Sequence, residues 1–311
     1  MRKIPIYHVD AFTSTPFGGN PAGVVPDASS LSEQEMQLIA REMNLPETAF
    51  LLPSNHPEAD FTVRYFTPSS EINFCGHATL ALAWLLATEQ GWSDKTDQVR
   101  LQTKIGLVPV AWIKENGELK TAIMTQIAPQ VKEVAIDADI VSRLIGVPAE
   151  EIDHRYPIRL ANTGNWHLII PVRTRTAIDT AKPSLSELEA LNRELGVSTT
   201  HLFTLNDPLH DVYTRDFAPA VGIPEDPATG SANGALAGYL VLEKILSPDQ
   251  NHQLTFGQGH AMSRPGTLLV SIETSKTNHS SVTNDGTGAT APIIKVGGAA
   301  VLTIKGELQL P

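Results

Sequence analysis

The chain has 311 residues, of which 18% are charged and 6% aromatic, and its formal net charge is −11. This length allows one large domain or two of ordinary size with a substantial core, and the acidic balance argues against nucleic-acid binding, because phosphate contacts need a basic surface. A single cysteine rules out a disulfide framework, and without a signal-like or membrane-length apolar segment we expect a cytoplasmic protein with no membrane contact.

The first part of the chain predicts strands and two helices. IPIYHVDAF and the alternating DFTVRYFTP are typical of strands. SSLSEQEMQLIAREMN has the apolar spacing of an amphipathic helix, with Ser30 and Glu33 as a candidate capping box. Residues 77–89 are apolar on every side, which predicts a helix buried within its own domain. Further strands are predicted at about 99–113 and 118–125.

The rest of the chain repeats this order of elements. A short helix in DADIVSRLIG, two strands in IRLANTGNWHLIIPV and a helix in PSLSELEALNRELG come first. A second apolar helix begins at about Gly230, and Gly234 and Gly238 follow at four-residue intervals, which favours close packing of one helix face. The polar segment 275–291 is interpreted as a hairpin insertion. Strands are predicted near 201–205, 211–217, 253–256, 267–273, 293–296 and 299–309.

This repeated order predicts an α+β fold with two pseudo-symmetric lobes. Each lobe would be a curled, mostly antiparallel sheet around one buried central helix. We place the N-terminal lobe at residues 1–124 and the C-terminal lobe at 125–311. The sequence leaves open whether the final strand packs back on the N-terminal lobe.

Both apolar helices begin at turns that contain glycine, and this pattern suggests an anion site. A helix N-terminus presents unpaired N–H groups and the positive end of the helix dipole, and a glycine there lets an anion approach the backbone. Gly76 stands at the first start and Gly230 at the second. One start alone is more simply an ordinary cap, made by Thr229 or Ser231 in the second helix. Two such starts beside titratable groups favour a clamp for a small carboxylate.

The titratable candidates near these turns are Glu47, Glu71, His77, Glu225 and Asp226. Glu47 lies among apolar residues in NLPETAF, where desolvation would raise its pKa towards the range of a general base. By itself, an exposed loop glutamate is the simpler interpretation of that residue. His77 at a helix start is expected to be neutral, because the dipole disfavours its charged form. Its alternative role is that of a capping or packing histidine.

Five segments together carry a resemblance to a known family. They are HVDAFTSTPFGGNPAGVV, LPETAFL, RYFTPSSEINFCGHATLALAW, NTGNWHLIIPV and FAPAVGIPEDPATGSANGALAGYL. In this order, and over nearly the whole chain, they resemble the phenazine-biosynthesis isomerase family (PhzF-like proteins), most closely its functionally unassigned bacterial members. The resemblance implies a diaminopimelate epimerase-like fold, an active site between the lobes, a homodimer, and a small carboxylate substrate handled without a metal or an organic cofactor.

The same resemblance implies roles for individual residues. Glu47 matches the family's proton shuttle, and His77 and Asp226 match the residues that assist it. SEINF departs from the EVPF that is more frequent in the family, so the role of Glu71 stays open. The residues implied in substrate binding, through backbone amides or as lining of the cleft, are Asn20, Cys75, Gly76, Gly230 and Ser231.

The cysteine count separates two mechanisms. Related epimerases use two opposed thiols, and Cys75 in CGHAT falls at the place of the first, but the chain has no second cysteine. This excludes a two-thiol racemase and favours one carboxylic acid that removes and returns the proton. In its apolar setting Cys75 should have a raised pKa and low reactivity. The alternatives are a one-thiol or non-thiol epimerase or racemase, and a non-catalytic carboxylate-binding protein.

Other motifs point to no metal and no cofactor. The sequence lacks H-E-x-x-H, a Walker A loop and a G-x-S-x-G elbow. GTGATA contains G-x-G, but it lies in the polar insertion without a strand or helix around it, unlike a dinucleotide site. The sequence does not specify the substrate.

Overall fold

The computed structural model describes residues 1–274 and 291–310. Contacts divide the chain into two compact units: Met1–Met124 with Gly297–Pro311, and Thr125–Val296. The end of the chain therefore belongs with the first unit. The segment interpreted as a hairpin insertion, 275–291, falls almost wholly outside the described residues. None of the helices described is long and apolar enough to cross a membrane.

The first unit is built mainly from strands, with two α-helices. The helices are α1 (Glu33–Met43) and α2 (Gly76–Glu89). The strands are β1 (Arg2–Ala11), β2 (Asn20–Val25), β3 (Glu47–Pro53), β4 (Phe61–Phe66), β5 (Glu71–Ile72), β6 (Gln98–Thr103), β7 (Gly106–Glu115), β8 (Glu118–Thr125) and the final β18 (Ala300–Leu310). Strand β18 pairs antiparallel with β1 along nearly its whole length.

The second unit has the same character. Its helices are α3 (Ala138–Ile145), α4 (Arg175–Thr180), α5 (Leu185–Leu195) and α6 (Gly230–Leu242). Its strands are β9 (Gln130–Glu133), β10 (Arg159–Asn162), β11 (Trp166–Pro171), β12 (Thr199–Thr204), β13 (Val212–Phe217), β14 (Glu225–Asp226), β15 (His252–Gln258), β16 (Gly266–Glu273) and β17 (Ile293–Gly298).

The strand pairings show that the two units are structural repeats. In the first unit β1–β2 is antiparallel, β2–β3 parallel, β3–β4 and β4–β5 antiparallel, β4–β6 parallel and β6–β7 antiparallel. The second unit gives the same sequence of pairings from β10 to β16. This confirms the predicted α+β fold of two pseudo-symmetric, mostly antiparallel lobes.

Each unit encloses one apolar helix, as the sequence predicted. Residues 77–83 and 85–87 of α2 are buried, and so are residues 232–241 of α6. A helix that is apolar on all sides has no face suited to water, so it is stable only where its own sheet surrounds it. The uniform composition of these two segments is therefore the main sequence signal of the repeat.

Two local predictions need correction. The capping box of α1 is formed by Ser32 and Glu35, not by Ser30 and Glu33, because the helix begins one residue after Ser32. This start is favoured because Leu31, which precedes the cap, is buried in the apolar cluster that covers α1. The single strand predicted at 99–113 is a hairpin of β6 and β7, which turns just before Gly106, a residue with a φ of 113°.

Two glycines of α6 are packing positions, as predicted. A β-carbon on Gly234 would lie 2.9 Å from Oγ1 of Thr163, and one on Gly238 would lie 2.4 Å from Cβ of Pro129. Neighbouring groups thus occupy the space that any larger residue would need.

Replacing Gly238 by alanine should destabilise the protein. The contact with Pro129 would have to open, and the cost of overpacking exceeds the gain in helix propensity, so we expect a net loss of about 1–2 kcal/mol in the free energy of unfolding. Urea denaturation measures this loss. Gly306→Ala is the matched control, because nothing lies within 4 Å of a β-carbon there. Equal stability of Gly238→Ala and wild type would contradict the tight packing of α6.

Candidate active site

Three candidate residues of the first unit meet where β3 and α2 begin. Glu47 is the first residue of β3, and Cys75 is the N-cap of α2. Sγ of Cys75 lies 3.3 Å from Nδ1 of His77, and Nε2 of His77 lies 3.2 Å from Oε2 of Glu47. Glu47, Cys75 and His77 therefore form one continuous set, which we call the Glu47 cluster.

The Glu47 cluster is largely shielded from water. Cys75 and His77 are 7% and 8% exposed, and the side chain of Glu47 is 19% exposed. Oε2 of Glu47 is itself buried and makes no well-aligned hydrogen bond with a described residue, and its contact with Nε2 of His77 is an ion pair. A buried carboxylate oxygen without a well-aligned donor is suited to receive a proton or a polar group from a ligand.

The charges within the cluster overturn two expectations. Burial is the largest single influence and raises the pKa of Glu47, but the positive charge of His77 and the contacts of His77 and Cys75 with the carboxylate together outweigh burial and bring the pKa below its ordinary 4.5. Burial lowers the pKa of His77, but its acidic neighbours Cys75 and Glu47 together raise it well above 6.5. The expected raised pKa of Glu47 and the expected neutral His77 are therefore both wrong. These directions make the pair a carboxylate and an imidazolium at neutral pH, because the favourable interactions within the cluster together exceed desolvation.

Cys75 behaves as predicted. Burial, and after it the negative charge of Glu47, raises the pKa of the Cys75 thiol above its ordinary value of 9.0. The neutral thiol is a weak base and a weak nucleophile.

The Glu47 cluster also has the composition of a metal site. One ligand atom from each of its three residues lies within 4.8 Å of the others, and it is the single group of this kind in the described part of the chain. Thiolate, imidazole and carboxylate are all zinc ligands. The search for metal-binding motifs in the sequence did not find this group, because Glu47 lies in β3, far along the chain from Cys75 and His77 at the start of α2. Independence from metals remains a prediction.

Asn20 lies beside the Glu47 cluster in the sheet. It begins β2 and is fully buried. Ala22, two residues later, pairs with Glu47 across the parallel β2–β3 ladder. Since side chains two residues apart on a strand share a face, Asn20 and Glu47 lie on the same face of the sheet.

Glu71 and Glu225 each form a structural ion pair with an arginine, at equivalent positions of the two repeats. Arg64 donates to both oxygens of Glu71, at 2.7 and 2.8 Å, and these hydrogen bonds lower the pKa of Glu71 to about 2. Arg215 likewise donates to both oxygens of Glu225, at 2.7 and 2.9 Å, in a bidentate ion pair. Each arginine fastens a short strand, β5 or β14, to its neighbour. This gives Glu71, whose role the sequence left open, a structural function.

In the second unit, the candidates lie around the start of α6. Gly230 and Ser231 form its first turn and are partly exposed, and Asp226 in β14 is also partly buried. The N-cap is Thr229, whose side chain accepts no hydrogen bond from the helix among the described residues. Its Oγ1 lies instead 2.5 Å from Oδ2 of Asp226 and 3.0 Å from Oδ2 of Asp216. The interpretation of Thr229 as an ordinary cap is therefore wrong.

Thr229 and Cys75 occupy corresponding positions in the two repeats. Each is the N-cap of the enclosed helix, each is extended, and neither side chain caps its helix within the part of the chain described. The position that would hold a second thiol under this pseudo-symmetry is thus a threonine. Sequence reasoning missed this contact of Thr229 and also missed Asp216, because a buried acid in TRDF has no distinctive motif.

Comparison with known proteins gives consistent matches over the whole chain. The family model described as phenazine biosynthesis-like protein matches residues 9–293. An uncharacterized isomerase of Clostridium acetobutylicum is 35% identical over 317 residues, which cover 100% of this chain and 99% of that protein. The trans-2,3-dihydro-3-hydroxyanthranilate isomerase of Pseudomonas aeruginosa is 32% identical over 286 residues, which cover 90% of this chain and 95% of that protein.

Solved structures agree with these matches. A Bacillus anthracis phenazine biosynthesis protein of the PhzF family superimposes with a TM-score of 0.86 at 32% identity, and all of both chains is covered. A hydroxyproline epimerase from Agrobacterium vitis superimposes with a TM-score of 0.65 at 15% identity, covering 99% of this chain and 91% of the other. The second similarity shows a shared fold alone.

Proposed function

Because this chain belongs to the family of phenazine biosynthesis-like proteins, we propose that it is an isomerase that moves a proton next to the carboxylate of a small metabolite. Glu47 is the group that carries the proton. The observation on which the proposal rests is the partly buried Glu47, whose Oε2 lies 3.2 Å from Nε2 of His77 and makes no well-aligned hydrogen bond with the residues described.

The proposed step needs one base and no redox partner. The Glu47 carboxylate takes a proton from a carbon next to the substrate carboxylate, and the electrons of that C–H bond pass into an enediolate. In a substrate whose C=C bond is conjugated with the enediolate, the same carboxyl group then returns the proton to the far carbon of that bond on the same face, and the double bond shifts as the new C–H bond forms. His77, as an imidazolium, keeps Glu47 ionised before the step. The neutral Cys75 thiol packs against His77 and transfers no proton in this scheme.

The second unit supplies binding groups in the proposal. Each helix start, that of α6 with the backbone N–H groups of Gly230 and Ser231 and that of α2 with those at Gly76, has the donors to bind a carboxylate and to stabilise charge that develops on it. Asp226 assists at the start of α6, and Asn20 lines the site beside Glu47. The absence of a side-chain cap from both described N-caps supports this role for the helix starts.

The proposal predicts that the protein exchanges a substrate proton with solvent. The purified protein would be incubated in deuterium oxide with amino acids, hydroxy acids and trans-2,3-dihydro-3-hydroxyanthranilate, the compound in the name of the Pseudomonas aeruginosa relative. NMR should show deuterium entering one of these compounds next to its carboxylate. A protein that binds a compound of the panel without any exchange would be a carboxylate-binding protein and not an isomerase.

Activity should not depend on a metal ion. Proton transfer by Glu47 leaves no step for a Lewis acid, so exhaustive dialysis against a chelator should leave the exchange rate unchanged. Loss of exchange that one metal ion restores would contradict this expectation and would identify the Glu47 cluster as a metal site.

A further inference from the structure

Behind Asp226, the second unit contains buried polar side chains that the proposed reaction does not use. Strand pairing aligns them, because Asp216 of β13 lies opposite His201 of β12 and opposite Asp226 of β14. Asp216 and His201 are completely buried, as are Asn233 and Gln258. Since buried polar groups must satisfy one another, counting their donors and acceptors shows where the protons are.

Backbone groups fix the orientation of both amides. The N–H of Thr229 donates to Oε1 of Gln258 at 3.0 Å, and Nε2 of Gln258 donates to the carbonyl oxygen of Asp226 at 2.8 Å. Nδ2 of Asn233 then donates to Oε1 of Gln258 at 2.6 Å and to the carbonyl oxygen of Thr229 at 2.9 Å. Because backbone N–H groups only donate and carbonyls only accept, Oδ1 of Asn233 must be an acceptor.

His201 therefore lies between two acceptors. Its Nδ1 is 2.9 Å from Oδ1 of Asp216, and its Nε2 is 3.3 Å from Oδ1 of Asn233. Oδ1 of Asn233 also accepts from the hydroxyl of Thr214 at 3.2 Å, so the contact that requires a proton from His201 is the one with Asp216. Asp216 also accepts from the hydroxyl of Thr199 at 2.6 Å. These two donors at Oδ1 make Asp216 the anion of the group.

The hydroxyl of Thr229 makes more contacts that require a proton than its single proton can satisfy. Its hydroxyl accepts from Nε2 of Gln258 at 3.0 Å and faces two carboxyl groups, Oδ2 of Asp216 and Oδ2 of Asp226. A hydroxyl has a single proton and can donate to only one of them. The other contact needs a proton from a carboxylic acid, and Asp216 is the ionised partner of His201.

We propose that Asp226 is a protonated carboxylic acid, which donates to Thr229, while Thr229 donates to the ionised Asp216. Asp216, His201 and Thr229 are positioning residues that keep Asp226 neutral. The neighbouring acid Glu225 adds no free negative charge, because Arg215 neutralises it. A neutral Asp226 does not repel an anion, so the start of α6 can accept a substrate carboxylate beside it. Only this last consequence rests on the proposed function.

Infrared spectroscopy tests the proton directly. The protein labelled with ¹³C at the aspartate carboxyl carbons should show, at neutral pH, the C=O stretch of a protonated carboxylic acid, with the shift that deuterium oxide causes. We expect Asp226→Asn to remove this band. Thr229→Val should remove it too, because Asp226 then loses its acceptor, and Thr229→Ser should restore it. Thr200→Val is the control, since the buried Thr200 hydroxyl bonds only to Asn192 among the contacts described.

Two results would overturn the proposal: absence of the band from the wild type, or its persistence in Asp226→Asn. If Thr229→Val fails to fold, the serine variant and Asp226→Asn still decide the outcome. The measurement uses no substrate, so its failure is distinguishable from failure of the proposed isomerase. Deuterium exchange that survives Glu47→Gln would refute the catalytic role of Glu47 and leave the proton on Asp226 unaffected.

Discussion

Glu47→Gln should reduce solvent-deuterium exchange and isomerisation by at least ~100-fold, the usual contribution of a general base. Glutamine keeps the size of the side chain but cannot accept the substrate proton. Exchange would be followed by NMR on whichever carboxylate the wild type turns over, with thermal melting to show that the variant is folded. The loss should be in kcat as well as in kcat/KM, because the missing interaction is made only in the transition state of proton transfer.

Cys75→Ala is the matched variant within the same cluster. Cys75 contacts His77 as closely as His77 contacts Glu47, yet the raised pKa of the thiol keeps it neutral. Most of the activity should therefore remain in Cys75→Ala, and Asp226→Asn should fall between the two variants. Loss of exchange in Cys75→Ala, together with its retention in Glu47→Gln, would replace the one-carboxylate mechanism with that of a thiol epimerase.

The pH dependence of kcat/KM should reflect the ion pair of Glu47 and His77. The pKa of Glu47 is lowered, so the base form is already present at pH 4.5 and is lost only on further acidification. The pKa of His77 is raised, so the imidazolium is present throughout the pH range in which Glu47 titrates. Above that range Glu47 stays ionised, so we expect one acid limb followed by a broad plateau through neutral pH.

His77→Gln should move the acid limb upward. Without the positive charge, burial is the dominant influence on Glu47 and raises its pKa above 4.5. Each pKa unit above the assay pH lowers the ionised fraction about tenfold, so the loss of activity should be largest at acidic pH and should partly recover on alkalinisation. An acid limb that stays in place in His77→Gln would show that His77 does not control the charge of Glu47.

Much of the fold could be predicted because its signals are local. The segments 77–89 and 230–242 are apolar on every side, and a helix of that kind must be enclosed by its own sheet. The order of the strands around them repeats, and this repetition is visible in the sequence. Local signals failed where the same residues allowed more than one starting point for a helix. The serines before α1 offered two capping boxes, and the burial of Leu31 selected the later one.

The candidate site was likewise predicted in part from the sequence and decided in part by the tertiary structure. The sequence alone determined the types of residue available: one cysteine, a glutamate in an apolar segment, and acids and a histidine beside two glycine turns. Only the tertiary structure decided their charges. Glu47 and His77 are thirty residues apart in the chain, and their 3.2 Å contact reverses the pKa shift that each would have alone. Likewise, Thr229 became a link between Asp216 and Asp226 only when strand pairing placed those acids side by side. Electrostatic interactions depend on distance and burial, and a linear sequence specifies neither for residues far apart along it.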